Sequence, residues 1–313
     1  MPEKIATREA YGRALVELGA ENRDVVVLDA DLAKSTKTIE FKKRFPERFF
    51  DFGVAEQNMM GTAAGLAAAG KVPFCSTFAV FASGRAFDQI RQSIAYTRLN
   101  VKICATHAGI TVGEDGSSHQ SVEDIALMRA LPDMTVFVPA DAVETVCAVR
   151  AAVAISGPVY IRLGRAPVPV LHGEDFVFHP GKAVLIKQGS DAAIIGTGIM
   201  VAPALDAAEI LGQEGIKVRV LDVHTIKPLD VDAVVQAAQE TGAVVTAEEH
   251  SIIGGLGSAV AEVLGENHPV PLKRVGIRDT FGESGKPAEL LEKYGLTAQH
   301  LASAVKQVLN RKK

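Results

Sequence analysis

The stretch from Thr106 to Asp124, THAGITVGEDGSSHQSVED, gathers His107, Glu114, Asp115 and His119 among glycines and serines, directly after the apolar run VKICA. Imidazoles and carboxylates on one glycine-rich loop offer both donors and acceptors, which suits recognition of a hydroxylated or phosphorylated ligand. The same residues could be metal ligands, but eight residues separate His107 from Asp115 and four separate Asp115 from His119. Ligands of tight sites usually come as near pairs on one element, so the polar-recognition reading is the better one. A solvated loop remains the bland reading for any one of them. Glu56 is a second candidate. It follows FFDFGVA and opens an otherwise uncharged helical segment, where a lone glutamate is ordinarily a surface residue favoured by the helix dipole. Phe78, Phe81 and Phe87 in STFAVFASGRAFDQ form a third set, and spacing of that kind fits a core more readily than a wall for a flat ring.

Two glycine-rich turns invite a nucleotide reading. GTGIMV, from Gly196, ends a strand-like run, and Asp222 ends the next one about where a ribose-binding acid would stand. Val201 occupies the third glycine position and would crowd helix against strand, so a tight strand-to-helix turn is the better account. IIGGLG, Ile252 to Gly257, likewise reads as a turn into a helix whose first N–H groups could hold an anion or a partner's carboxylate.

These residues need elements to position them. Short runs at Val25 (VVVL), Arg48 (RFFDF), Val72 (VPFCS), Val101 (VKICAT), Thr135 (TVFVP) and Pro158 (PVYIRL) alternate with helically spaced segments. Tyr11, Ala14, Leu15 and Leu18 share one helical face, with Thr7 as the expected N-cap and Gly19 as the expected stop. In AEQNMMGTAAGLAAAG, the bare face of Gly61, Gly65 and Ala69 predicts a buried helix, packed internally or against another subunit. The alternation predicts an α/β fold of two domains, each with a mostly parallel sheet flanked by helices. The first is expected over 1–165 and the second over 189–313, with a proline- and glycine-rich linker over 166–188.

Bulk properties agree and narrow the function. A chain of 313 residues exceeds one typical core. A net charge of −4 with no long Lys/Arg run makes nucleic acid a poor partner. Cys75, Cys104 and Cys147 lie far apart in apolar surroundings and read as free thiols of a reducing compartment. The N-terminal stretch has charges throughout and no apolar core, and no segment has the ~20 apolar residues of a spanning helix. A soluble, cytoplasmic protein without membrane attachment is expected.

Taken in order, DFGVAEQNMMG, STFAVF, THAGITVGEDGSSHQSVEDIALMRALPDM and VFVPAD resemble the C-terminal two-thirds of transketolase, and the chain resembles the C-terminal subunit of a split transketolase. The likeness covers residues 1–165 closely and extends more loosely to the end. It implies thiamine diphosphate as cofactor and carries roles over position by position. Glu56 would bond the pyrimidine N1′ and drive acid–base catalysis through the cofactor. Phe78 and Phe81 would wall the pyrimidine ring, and Asp31 would lie near the thiazolium. Asp115 and His119 would bind sugar hydroxyls, with His119 also counted as catalytic. His107, Arg8, Ser35 and Arg165 would receive the phosphate end.

The expected diphosphate clamp, a Gly-Asp-Gly stretch followed by Asn that holds Mg²⁺, has no counterpart here. The chain has EDG at Glu114 and no Asn between Asn100 and Asn267. The resemblance therefore implies Mg²⁺ ligands on an N-terminal partner subunit, no metal ligand in this chain, and an α2β2 assembly acting on sugar phosphates. Three readings compete: the β subunit of a 2-oxo-acid dehydrogenase decarboxylase component, a 1-deoxyxylulose-5-phosphate synthase-like enzyme, and a non-catalytic subunit that kept the fold. A nucleotide-binding oxidoreductase is the fourth, from GTGIMV and Asp222.

Overall fold

The apolar runs become parallel strands because neither of their faces meets water. All five residues of VVVLD, from Val25, are buried, as are all five of KICAT, from Lys102. The structure, a computed structural model, describes residues 3–312. Its strands, in chain order, are β1 (Lys4–Ala6), β2 (Val25–Asp29), β3 (Phe49–Asp51), β4 (Val72–Phe78), β5 (Lys102–Thr106), β6 (Thr135–Phe137) and β7 (Val159–Arg162). They continue as β8 (Pro167–Pro169), β9 (Val184–Lys187), β10 (Ala192–Gly196), β11 (Val218–Asp222), β12 (Thr225–Lys227), β13 (Val244–Ser251) and β14 (Leu272–Ile277).

Two mostly parallel sheets result. The first runs β12-β6-β7-β5-β4-β2-β3 and the second β14-β13-β10-β11-β9. Only the edge strands β12 and β9 run antiparallel to their neighbours. The segment 166–188, expected as linker, carries two strands: β8 pairs with β1, and β9 joins the second sheet. More tellingly, β12 comes from the second half of the chain yet forms the edge of the first sheet, Thr225 opposite Phe137. One core also spans the halves, with Val26, Ile103 and Val136 in the same cluster as Ile195, Leu221 and Val260.

Two local expectations are corrected. Thr7 is the first residue of the helix Thr7–Glu21 rather than its cap, and its hydroxyl accepts the Gly164 N–H at 2.7 Å instead. Gly19 lies inside that helix, where a Cβ would strike the rings of Phe41 and Phe45. Its smallness serves a close approach, not a stop. The helix Glu56–Ala68 buries Met59, Met60, Ala63 and Ala64, while Gly61, Gly65 and Ala69 face outward. The bare face is therefore not packed within this chain, because the larger apolar residues on the opposite side claim the sheet.

Candidate active site

Five parallel strands of the first sheet end on one side, and each hands over to candidate residues. β2 leads to Asp31 and Ser35, β3 to Glu56, β4 to Phe78 and Phe81, β5 to His107 and the polar loop, and β7 to Arg165. Arg8 joins them from the first turn of Thr7–Glu21, its Nη1 donating to the Ser35 carbonyl at 2.9 Å. β3 and β4 lie on opposite sides of β2. Such a reversal of strand order opens the crevice where α/β sheets usually take ligands.

Glu56 is 1 % exposed, which removes it from the surface role its position suggested. Arg85 Nη1 donates to both of its oxygens, at 3.0 and 3.1 Å. The Arg85 guanidinium in turn lies 4.5 Å from the centre of the Phe81 ring, a cation–π distance. Phe81 and Phe78 are nearly parallel, with centroids 5.9 Å apart, and Phe78 stacks on His107 at 3.8 Å. His119 meets the edges of both phenylalanines. Aromatics and imidazoles thus form one continuous wall.

The other half of the site is cationic. His107 Nε2 lies 3.3 Å from Arg8 Nη1 and its Nδ1 lies 2.9 Å from the Thr106 hydroxyl. Burial, then Arg8, Arg165 and His119, lower the His107 pKa to about 3, so its ring is neutral at physiological pH. Burial and the neighbouring Arg165 also lower that of Arg8, and Arg8 Nε is buried without a partner. Two guanidiniums held together at that cost suit an anion that would relieve it. Arg165 reaches Glu114 at 3.7 Å and Asp115 at 3.6 Å and donates to the Val112 carbonyl. Asp31 and His107 both hold left-handed backbone, at φ 61° and 55°, an uncommon conformation for a residue with a side chain that Lys37, Arg98, Asp133 and Asp279 share.

The second domain holds the polar loop from behind. Ile110 and Val122, which bracket it, are buried in the second core, each contributing about 1.5–3 kcal/mol by burial. Glu249 Oε1 accepts the Thr111 N–H at 2.7 Å, and Gln120 Nε2 donates to the Glu283 carbonyl at 2.9 Å. A Cβ on Gly109, at φ 78°, would fall onto the Glu249 carboxylate, so glycine is required there. Arg162, at the end of β7, donates to Asp124 at 2.8 Å and to the Glu249 carbonyl at 2.9 Å. Burial raises the Asp124 pKa, but Arg162 and the bond from Tyr160 outweigh it and leave the carboxyl below its usual range.

Sequence reading missed Arg85, although it stands four residues after Phe81, one helical turn on. It also missed Asp29, which fixes the Asp31–Ser35 turn by accepting from the Leu32 N–H at 2.7 Å and the Thr36 and Thr38 hydroxyls at 2.7 and 2.8 Å. The threonines at seven and nine residues after a strand-ending aspartate were the available signal. The GTGIMV turn is tight, with Gly198 at φ 55°, and Asp222 is buried beside His172 rather than open to a ribose. IIGGLG does hold a carboxylate, but it is the chain's own: Glu248 accepts the N–H groups of Leu256 and Gly257 at 2.7 and 2.8 Å.

Residues 3–170 match the family described as "Transketolase, pyrimidine binding domain". The chain belongs to the transketolase family. Residues 181–301 match the transketolase C-terminal domain. The chain is 50 % identical to a putative transketolase C-terminal section of Methanocaldococcus jannaschii, over 97 % of this chain and 96 % of that one. It is also 50 % identical to the 6-deoxy-6-sulfo-D-fructose transketolase subunit SqwH of Clostridium sp. (strain MSTE9), over 97 % and 95 %. Among solved structures it resembles a split gene transketolase described as an inactive β4 tetramer, with TM-score 0.92 and 58 % identity over 99 % of this chain and all of that one. The family is thiamine diphosphate dependent, and likeness to C-terminal sections implies an N-terminal partner subunit. Among the described residues no helix is long and apolar enough to cross a membrane.

Proposed function

We propose that this chain is the C-terminal subunit of a split transketolase that transfers a two-carbon ketol unit between sugar phosphates, with diphosphate and Mg²⁺ held by the partner subunit. The convergence of Glu56, the aromatic wall and the Arg8–His107–Arg165 cluster at one end of one sheet carries the reading. The residues fit the cofactor's pyrimidine half: a buried carboxylate stands beside a stacked aromatic pair, and Arg85 is its chief partner. Thiamine diphosphate, when bound, supplies a nucleophilic carbon and an electron sink for breaking a carbon–carbon bond beside a carbonyl.

In this reading Glu56, whose oxygens both accept from Arg85, would hold a proton toward a ring nitrogen of the bound cofactor. Phe78 and Phe81 exclude water and fix the ring plane. Asp115 and His119 bind hydroxyls of the sugar, and Arg8, Ser35, His107 and Arg165 receive its anionic end. Neutral His107 can donate or accept there without adding charge, while the guanidiniums supply the attraction. Asp31, on the same rim, would lie near the thiazolium of the bound cofactor. The outward face of Gly61, Gly65 and Ala69 offers another chain a close approach, and α2β2 is the assembly proposed.

The test is ketol transfer from xylulose 5-phosphate to ribose 5-phosphate with thiamine diphosphate and Mg²⁺, comparing the native complex with the chain alone. Activity confined to the complex is expected, and activity of the isolated chain would reject the divided site. A sulfonate resembles a phosphate with one charge fewer, so 6-deoxy-6-sulfo-fructose belongs in the same assay as an alternative donor. Inactivity of the complex with every donor would reject the transketolase reading.

A further inference from the structure

A second cluster of chemical groups lies away from the site just described, where three stretches of chain meet. Glu144 stands in the first turn of the helix Ala142–Ala154, His172 in the segment between β8 and β9, and Asp222 at the end of β11. One ligand atom from each lies within 4.8 Å of the others, the one such trio of histidine, cysteine and acidic groups among the described residues. His172 Nε2 is 3.1 Å from Asp222 Oδ2 and 3.8 Å from Glu144 Oε1.

The way their hydrogen bonds are distributed points to a ligand. Glu144 Oε2 accepts the Ala140 N–H at 2.6 Å, which leaves Oε1 turned toward His172. Glu144 Oε1 and Asp222 Oδ1 are both buried with no hydrogen-bond partner, on side chains that are 0 % exposed. Asp141 offers them no donor, since its own oxygens only accept: Oδ1 from the Glu144 N–H at 2.8 Å, and Oδ2 from the N–H groups of Leu171 and His172 at 2.6 and 2.8 Å. It fastens two ligand-bearing segments together. Burial, and then the charge of Asp222, push the Glu144 carboxyl up; burial also raises Asp222, although His172 and then Glu144 pull it down.

We propose that Glu144, His172 and Asp222 bind a divalent transition-metal cation of the zinc class, joining the two domains at the connecting segment. One imidazole and two carboxylates, with a fourth position left for water, make a set that suits Zn²⁺, Co²⁺ or Mn²⁺. Ca²⁺ prefers six to eight oxygens, roughly twice what converges here. The cation would satisfy the two orphaned oxygens and cancel the charge of both acids. It stands apart from the Mg²⁺ of the cofactor, whose ligands are assigned to the partner subunit.

The full chain, stripped with a chelator and kept free of thiamine diphosphate, is titrated with Zn²⁺ by calorimetry while its thermal midpoint is followed. One equivalent should bind and raise the midpoint, and His172→Ala and Asp222→Asn should each weaken binding at least about tenfold. Zinc binding that survives both substitutions is adventitious surface binding and overturns the proposal. Should either variant fail to fold, Co²⁺ on the wild-type chain decides: intense visible d–d bands of a four-coordinate ion are expected, and a six-coordinate spectrum or none overturns it. A wild-type chain that binds neither Zn²⁺ nor Co²⁺ overturns the proposal and holds a proton shared between two carboxyl groups instead.

Discussion

The carboxyl ends of the two sheets carry similar residues and use them in opposite ways. At the first, Glu56 is met by a half-exposed arginine side chain, Glu114 and Asp115 are exposed, and Arg8 keeps a buried nitrogen unpaired. At the second, Glu248 accepts two backbone N–H groups of its own chain and Glu249 accepts one, and His250 is buried with them. A backbone partner cannot leave, whereas a side-chain partner can rotate away when a ligand arrives. The kind of partner, more than the kind of residue, separates a binding edge from a brace.

The comparison breaks most visibly at Glu56. Glu56→Gln keeps the size and one acceptor but cannot shuttle a proton, so turnover of the complex should fall by roughly 10²–10⁴, with cofactor affinity and assembly retained. Steady-state ketol transfer beside cofactor titration reads this, and near-normal turnover would remove Glu56 from catalysis. At the opposite edge, Glu248→Ala strands two helix N–H groups and should cost about 1–3 kcal/mol in urea unfolding, with turnover per folded molecule unchanged. A variant that is stable but inactive would make the second edge part of the site.

Smaller effects sharpen the contrast. Asp115→Ala and His119→Ala should raise the donor KM about tenfold, the loss of one or two hydrogen bonds, and leave the unfolding free energy within the ~0.5 kcal/mol typical of surface changes. An unchanged KM in both would dismiss the loop as a sugar reader. The smallest effect concerns pH. Burial holds His107 near 3 and His224 and His250 near 4, so they stabilise above their ordinary range and lose that contribution as pH falls. Glu248 and Glu249, raised by burial to about 7, and Asp29, to about 6, contribute below the ordinary carboxyl range and lose it as pH rises. The two sets oppose one another between about pH 4.5 and 6.5, where urea midpoints should stay nearly level before dropping at lower pH. A steep loss beginning at pH 6.5 would mean the second edge is already ionised in the folded protein.

The strands β2, β4, β5 and β7 were legible because a strand buried on both faces is mostly apolar. So was the grouping of polar residues after β5, since chemistry collects where such strands end. Lys102 was not: its ammonium is buried, capping the carbonyls of Ile155 and Gly157 at 2.7 and 2.9 Å, and burial lowers it to about 7. Nothing in VKICA announces partners more than fifty residues away. The same holds for Arg85 on Glu56 and for Glu249 behind the polar loop, since spacing encodes neighbours within an element and is silent about which elements meet. β9 and β12 escaped notice as short edge strands, VLIK lying at the end of the proline- and glycine-rich stretch and TIK being too brief to show a period.

Because β12 closes the first sheet from the far half, the two domains are not separable goods. A protease that nicks the exposed Glu174–Asp175 turn would cut the chain without parting the molecule, each fragment still gripping a sheet or core that the other completes. During synthesis the first sheet must wait, its margin open beyond β6, until Thr225–Lys227 has been made. That open margin is a template on which another copy's β12 could settle, so the route to a wrong, interlocked assembly is written into the same connection that holds the correct one together.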